Sequence, residues 1–153
     1  MIYMLYREQV VNSGIDKVWD YFSTPKNLNS MTPRSLQFRI ISELPEKTYL
    51  GQIIQYKVKA VPLIWSNWLT EIKYVEEGRK FVDEQRIGPY KLWFHEHIFI
   101  PLENNKVKII DRVHYDIGFG ILGSLLNTLW IKHRLNDIFK FRFNKVSEIF
   151  NGE

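Results

Sequence analysis

The chain has 153 residues, 45% of them hydrophobic and 25% charged, and carries a formal net charge of +4. This is a globular composition, not a disordered one, and the length is enough to bury a core. The 21 basic residues are spread along the chain, which argues against a nucleic-acid surface, and the absence of cysteine excludes disulfides and thiolate metal sites.

Residues 2–11 read as a strand. Met1 to Val11 lacks the basic start, long apolar run and cleavage site of a signal peptide. Ser13-Gly14-Ile15-Asp16 predicts a helix start with a Ser13 cap and Asp16 in the first turn. Val18, Trp19 and Phe22 give that helix an apolar face. Thr24-Pro25 begins a second short helix, ending near Ser30, with proline where its missing N–H costs nothing. Strand candidates follow at Leu36–Ser42 and Gly51–Ala60. In the second, Ile54, Tyr56, Val58 and Ala60 alternate with Gln55, Lys57 and Lys59. Ser66–Val75 places Trp68, Thr70, Ile72 and Tyr74 on one face. Turns at Glu77-Gly78, Gly88-Pro89 and Glu103-Asn104-Asn105 separate further strands at 81–87, 91–101 and 107–117. Consecutive strands joined by short turns predict an antiparallel meander.

From Ile121 to about Phe150 the apolar period changes to three and four residues, through Ile131, Leu135, Ile138, Phe139, Arg142, Val146 and Ile149. This predicts one amphipathic helix of roughly 30 residues, roughly 45 Å long. Its first turns, 121–130, are apolar on nearly every side. Gly118, Gly120 and Gly123 turn the chain into it and offer a hinge. Ile117 to Ile131 is the nearest approach to a membrane span, but it is short and interrupted by glycine. The expectation is one cytoplasmic domain over 1–153, without stable membrane insertion; no oligomeric state is assigned.

Side chains two apart on a strand share a face. Trp93, His95, His97 and Phe99 therefore line up, as do Asp111, Val113, Tyr115 and Ile117. Counting back from the Asn104 turn sets residues near 97 opposite residues near 111, to within a residue or two. His95, His97 and Asp111 are expected to form one cluster, with Gln85 joining from the preceding strand. Such a cluster serves as a buried network that fixes register, as the polar anchor of a largely apolar ligand, or as an Asp-oriented imidazole base. His95 and His97 have the H-x-H spacing of strand metal sites, with Asp111 as a third donor, but no strong fourth ligand is evident. No metal and no cofactor are assigned. Arg142 lies on the apolar stripe of the helix, either as a stem paired to an acid or as a cation meeting an acidic ligand.

The order strand, two short helices, meander, long C-terminal helix accompanies Val18-Trp19 with Phe22, Thr32-Pro33, Phe81-Val82-Asp83-Glu84-Gln85 and Gly88-Pro89-Tyr90. Trp93, His95 and His97, then Asp111, Val113 and Tyr115, then Phe119-Gly120 with Leu122-Gly123, complete the pattern. Together they resemble the START-like (SRPBCC, helix-grip) superfamily, and within it a bacterial branch described as polyketide cyclase/dehydrase-like or ligand-binding. The resemblance implies an α+β helix-grip fold: a curved antiparallel sheet of about six or seven strands around the long helix, with a cavity between them. Superfamily members carry lipids, sterols, hormones or polyketides, and a minority catalyse reactions on them. His114 and Asp116 depart from the pattern by adding polar groups. The preferred expectation is binding or transport of a small, largely apolar ligand (lipid-, sterol- or polyketide-like). Trp68, Gln85, Trp93, His95, His97, Asp111, Val113, Tyr115, Leu126 and Arg142 are the candidate contacts. The alternatives are a cyclase/dehydratase-type enzyme using His95, His97 and Asp111, and a protein-interaction domain.

Overall fold

Alternation along the chain builds the sheet. A computed structural model describes residues 1–61 and 64–152. Its strands are β1 (Tyr3–Val11), β2 (Arg39–Ile40), β3 (Ile53–Val61), β4 (Ile64–Glu76), β5 (Lys80–Ile87), β6 (Leu92–Leu102) and β7 (Lys106–Asp116). They form a seven-stranded sheet in the order β1-β7-β6-β5-β4-β3-β2. Every pairing is antiparallel. The meander thus closes beside the first strand, with Tyr3 opposite Tyr115 and Val11 opposite Val107.

Between β1 and β2 lie helix α1 (Ile15–Phe22) and two tight turns, Pro25–Asn29 and Arg34–Leu36. After β7 come α2 (Gly120–Leu126), a wide turn at Asn127–Ile131, and α3 (Lys132–Asn151). The buried residues of α3 are Leu135, Phe139, Arg142, Val146 and Phe150. Their spacing of three and four gives the helix a single face toward the sheet. No described helix is long and apolar enough to cross a membrane.

Three expectations are corrected. Helix α1 starts at Ile15 behind Gly14, with no side-chain cap; Ser13 stands one residue too early and is buried. The expected strand Leu36–Ser42 shrinks to Arg39–Ile40, because Pro33 opens a tight turn and Gln37 adopts a left-handed conformation at φ 46°. Tyr74 leaves the face shared by Trp68, Thr70 and Ile72: a bulge between Ile72 and Tyr74 reverses the alternation, and Tyr74 is exposed. The long C-terminal helix runs from Gly120 to Asn151 as expected, with a wider turn within it at Asn127–Ile131. In β3, Ile54 and Val58 are buried and Tyr56 half-buried, as the alternation requires; the side chain of Ala60 falls outside the described set.

The core forms two clusters. One gathers Leu5, Trp68, Trp93, Tyr115 and Phe139; the other gathers Val11, Phe22, Phe99, Val107 and Val146.

Candidate functional site

A cavity of about 470 Å³ lies between the sheet and the C-terminal helix. Its walls are mostly apolar. The sheet supplies Tyr56, Val58 and Trp68, the turns after α1 supply Leu28 and Met31, and the C-terminal helix supplies Leu126, Trp130 and Leu135. The wide turn at 127–131 shifts the helical face so that Leu126, Trp130 and Ile131 all reach the cavity. It is held from the sheet by Tyr115, whose hydroxyl donates to Asn127 Oδ1 at 3.0 Å. The chain enters this helix through three left-handed residues, Gly118, Phe119 and Gly120. At Gly123 a Cβ would lie 1.8 Å from the Gly118 carbonyl oxygen, so only glycine fits there.

One stretch of the wall is charged. Asp83, His95, His97 and Arg142 line the cavity, and Asp111 joins them from outside the lining. The register explains the meeting: His95 pairs with Asp83 across β5–β6, and His97 pairs with Asp111 across β6–β7. Arg142 arrives from α3 and donates from Nε to Asp111 Oδ2 at 3.1 Å. Glu96 takes the opposite face, where it accepts from Lys80 and Arg112; the Arg112 hydrogen bond chiefly lowers its carboxyl to about 2.

The donors fix where the protons sit. His97 Nδ1 lies 3.1 Å from Arg142 Nη2 and 3.4 Å from Asp111 Oδ1. A guanidinium only donates, so Nδ1 accepts and the His97 proton is on Nε2. From there it reaches Asp83 Oδ2 at 2.7 Å. His95 donates from Nε2 to Asp111 Oδ1 at 2.9 Å, leaving Nδ1 facing Asp83 Oδ2 at 3.5 Å. The two imidazoles lie 3.7 Å apart, and His97 stacks on Phe81.

Burial opposes ionisation of both carboxyls, but the surrounding cation and imidazoles prevail. Asp111 is held well below its ordinary value, by Arg142 and then His95. Asp83 is lowered as well, by His95, His97 and Arg142. His95 is pushed down, first by burial and then by His97, against the pull of both carboxylates.

The structure brings His95, His97 and Asp111 together, and Arg142, read from sequence only as a cation on the helix stripe, joins them. It does not bring Gln85. That side chain turns back on its own hairpin, donating to the Tyr90 carbonyl at 2.6 Å and accepting from its N–H. Asp83 takes the place expected of Gln85. Trp68, Trp93 and Leu126 line the cavity, whereas Val113 and Tyr115 are buried behind the lining. Tyr90, a residue not expected at the site, also lines the cavity, and burial raises its hydroxyl far above the ordinary value.

No family model matches the sequence, and no curated protein does. Solved structures do match. TTHA0849 of Thermus thermophilus superposes with a TM-score of 0.71 at 13% identity, over 95% of each chain. A truncated norcoclaurine synthase from Thalictrum flavum gives 0.69 at 14%, over 97% of this chain and 93% of that one. The Zhui aromatase/cyclase of a Streptomyces species gives 0.67 at 13%, over 97% and 96%. These likenesses show the fold: a helix grip, with a curved antiparallel sheet around a long C-terminal helix.

Proposed function

We propose that the protein binds a small, largely apolar molecule, lipid-, sterol- or polyketide-like, in the cavity between sheet and helix. The polar end of that molecule meets the charged stretch of wall. The observation that carries this reading is the pairing of a mostly apolar cavity with a buried charged cluster in one wall. A volume of about 470 Å³ suits a small organic ligand. Among the described residues, Asp83 Oδ1 and Arg142 Nη1 make no hydrogen bond, which offers a ligand one acceptor and one donor. A norcoclaurine synthase of the same fold is known in complex with dopamine and hydroxybenzaldehyde, both small aromatic molecules.

The test is a fluorescent apolar probe titrated into the protein and displaced by fatty acids, sterols and polycyclic phenols. Leu126, at the half-open rim, accepts a charge without disturbing the core. Leu126→Glu is expected to weaken probe binding by about tenfold or more, since it places a carboxylate against apolar surface. A wild-type protein that takes up no probe, or a variant that binds it unchanged, ends the reading.

The proton assignment supports a second reading, acid–base chemistry of the cyclase/dehydratase kind. His95 is oriented by Asp111 and keeps an unprotonated Nδ1, as a base that removes a proton beside a carbonyl requires. Poly-β-carbonyl mimics should then cyclise with wild-type protein and not with His95→Gln; equal rates would remove this reading. The interaction-domain alternative called for a large exposed apolar patch and no internal cavity; apolar side chains around α2 are exposed, but the cavity counts against it.

A further inference from the structure

We propose that Asp83, His95 and His97 form a binding site for one divalent transition-metal ion in the wall of the cavity. One donor atom from each residue lies within 4.8 Å of the other two. Asp83 Oδ2 is 2.7 Å from His97 Nε2 and 3.5 Å from His95 Nδ1. A proton on His97 fills the first of these edges. The second sets the Nδ1 lone pair of His95 against an ionised carboxylate, an arrangement that a cation between them relieves.

The nitrogens on the far side of both rings support the same assignment. His95 Nε2 and His97 Nδ1 approach one oxygen, Asp111 Oδ1, at 2.9 and 3.4 Å. Metal-bound histidines characteristically donate their other N–H to a carboxylate, which fixes the ring and raises its basicity. Arg142 holds Asp111 by its other oxygen, Oδ2. Its guanidinium contacts only the far nitrogen of His97, so it does not compete for the metal-facing edge. Binding requires the His97 proton to move from Nε2 to Nδ1. There it donates to Asp111; the Arg142 Nη2–His97 Nδ1 hydrogen bond is given up, and Arg142 keeps its Nε–Oδ2 bond.

Charge and donor type select the ion. Two carboxylates against one guanidinium leave the neutral-imidazole cluster with a net negative charge, which a dication reverses. Two imidazoles and one carboxylate favour zinc, iron, cobalt, nickel or copper over magnesium or calcium. All three ligand residues line the cavity, so the remaining coordination positions face whatever it holds. The third donor is thus Asp83, not the Asp111 anticipated from sequence. With the site occupied, His95 has no free nitrogen, so the acid–base reading belongs to the metal-free protein alone.

The full-length chain, stripped with chelator and dialysed, is titrated with Co(II) alone and followed by visible absorption, with Zn(II) added in competition. One equivalent is expected to bind, with the intense bands of a four- or five-coordinate ion, and zinc should displace it. Asp111→Asn should weaken binding roughly 10–100-fold. Asp83→Asn and His95→Gln should abolish the bands, with folding checked by circular dichroism. His114→Ala and His133→Ala, at histidines outside the cluster, should change nothing. Absence of a saturable band in the wild type overturns the proposal, whichever variants fold. So does a band that survives Asp83→Asn and His95→Gln or disappears with His114→Ala. The apolar probe reports the cavity and cobalt reports the cluster, so either reading can fail without the other.

Discussion

Arg142 sets the chemistry of its neighbours because it donates at every polar atom and accepts at none. Its contacts make His97 Nδ1 an acceptor and keep Asp111 ionised. The pH dependence of stability follows from these shifts. Asp111, Asp83 and His95 all bind protons less readily when folded than their ordinary values allow. Between the folded and unfolded values the unfolded chain holds more protons, so stability rises with pH. The His95 contribution is complete above about pH 6.5 and is lost as pH falls below it; the carboxylate contributions are complete above about pH 4 and are lost below. In chelator, the melting temperature should therefore climb from acid to about pH 7. His95→Gln should flatten the part of that climb between the carboxylate and histidine ranges. A wild-type melting temperature that is level across it would contradict the assignment of protons given above.

At the level of elements, what was legible is what depends on local period. The faces of β6 and β7 follow from alternation, and a tight turn at Asn104-Asn105 let the register be counted across it to within a residue or two, which the pairing of His97 with Asp111 makes exact. The stripe of α3 follows from its spacing of three and four, including the unusual presence of Arg142. What was not legible depends on a break in period or on a connection of uncertain length. The bulge after Ile72 turns Tyr74 outward, and no residue type there signals it. The wide turn at Asn127–Ile131 adds a residue to the helical period in a segment apolar on every side, where a phase shift leaves no trace. Asp83 shares a face with Phe81 and Gln85, so parity alone could not choose between Asp83 and Gln85. The choice rests on register, with Asp83 opposite His95, and the connection through Gly88-Pro89 is too long to count across. Gln85 is spent instead on closing that same connection at Tyr90.

Across the whole molecule, the charged cluster marks a seam between the two core clusters. His97 stacks on Phe81 of one, while His95 meets Trp93 and Phe139 of the other at ring distances of 6.3 and 5.6 Å. Much of the second cluster is closely packed: Val11, Val18, Val107 and Val146 are at most 1% exposed. The opposite end carries α2 and the wide turn after it, whose apolar side chains stay largely in solvent, with Ile121 92%, Leu129 67% and Leu125 54% exposed. Few buried contacts hold that element, so it belongs to the low-stability end of the fold. Filling the cavity adds contacts along its whole lining, and at this weakly held end they fall on Leu126, Trp130 and Ile131. A ligand at a hundred times its Kd stabilises the folded state by about 2.7 kcal/mol. In hydrogen exchange, bound ligand should accordingly slow the amides of Gly120–Ile131 most. The amides of β7 around Val107 and Ile109, and those of α3 near Val146, should change only with global stability. Uniform slowing along the chain would mean that the ligand does not enter at α2, and protection confined to the β6–β7 hairpin turn would place it outside the cavity altogether.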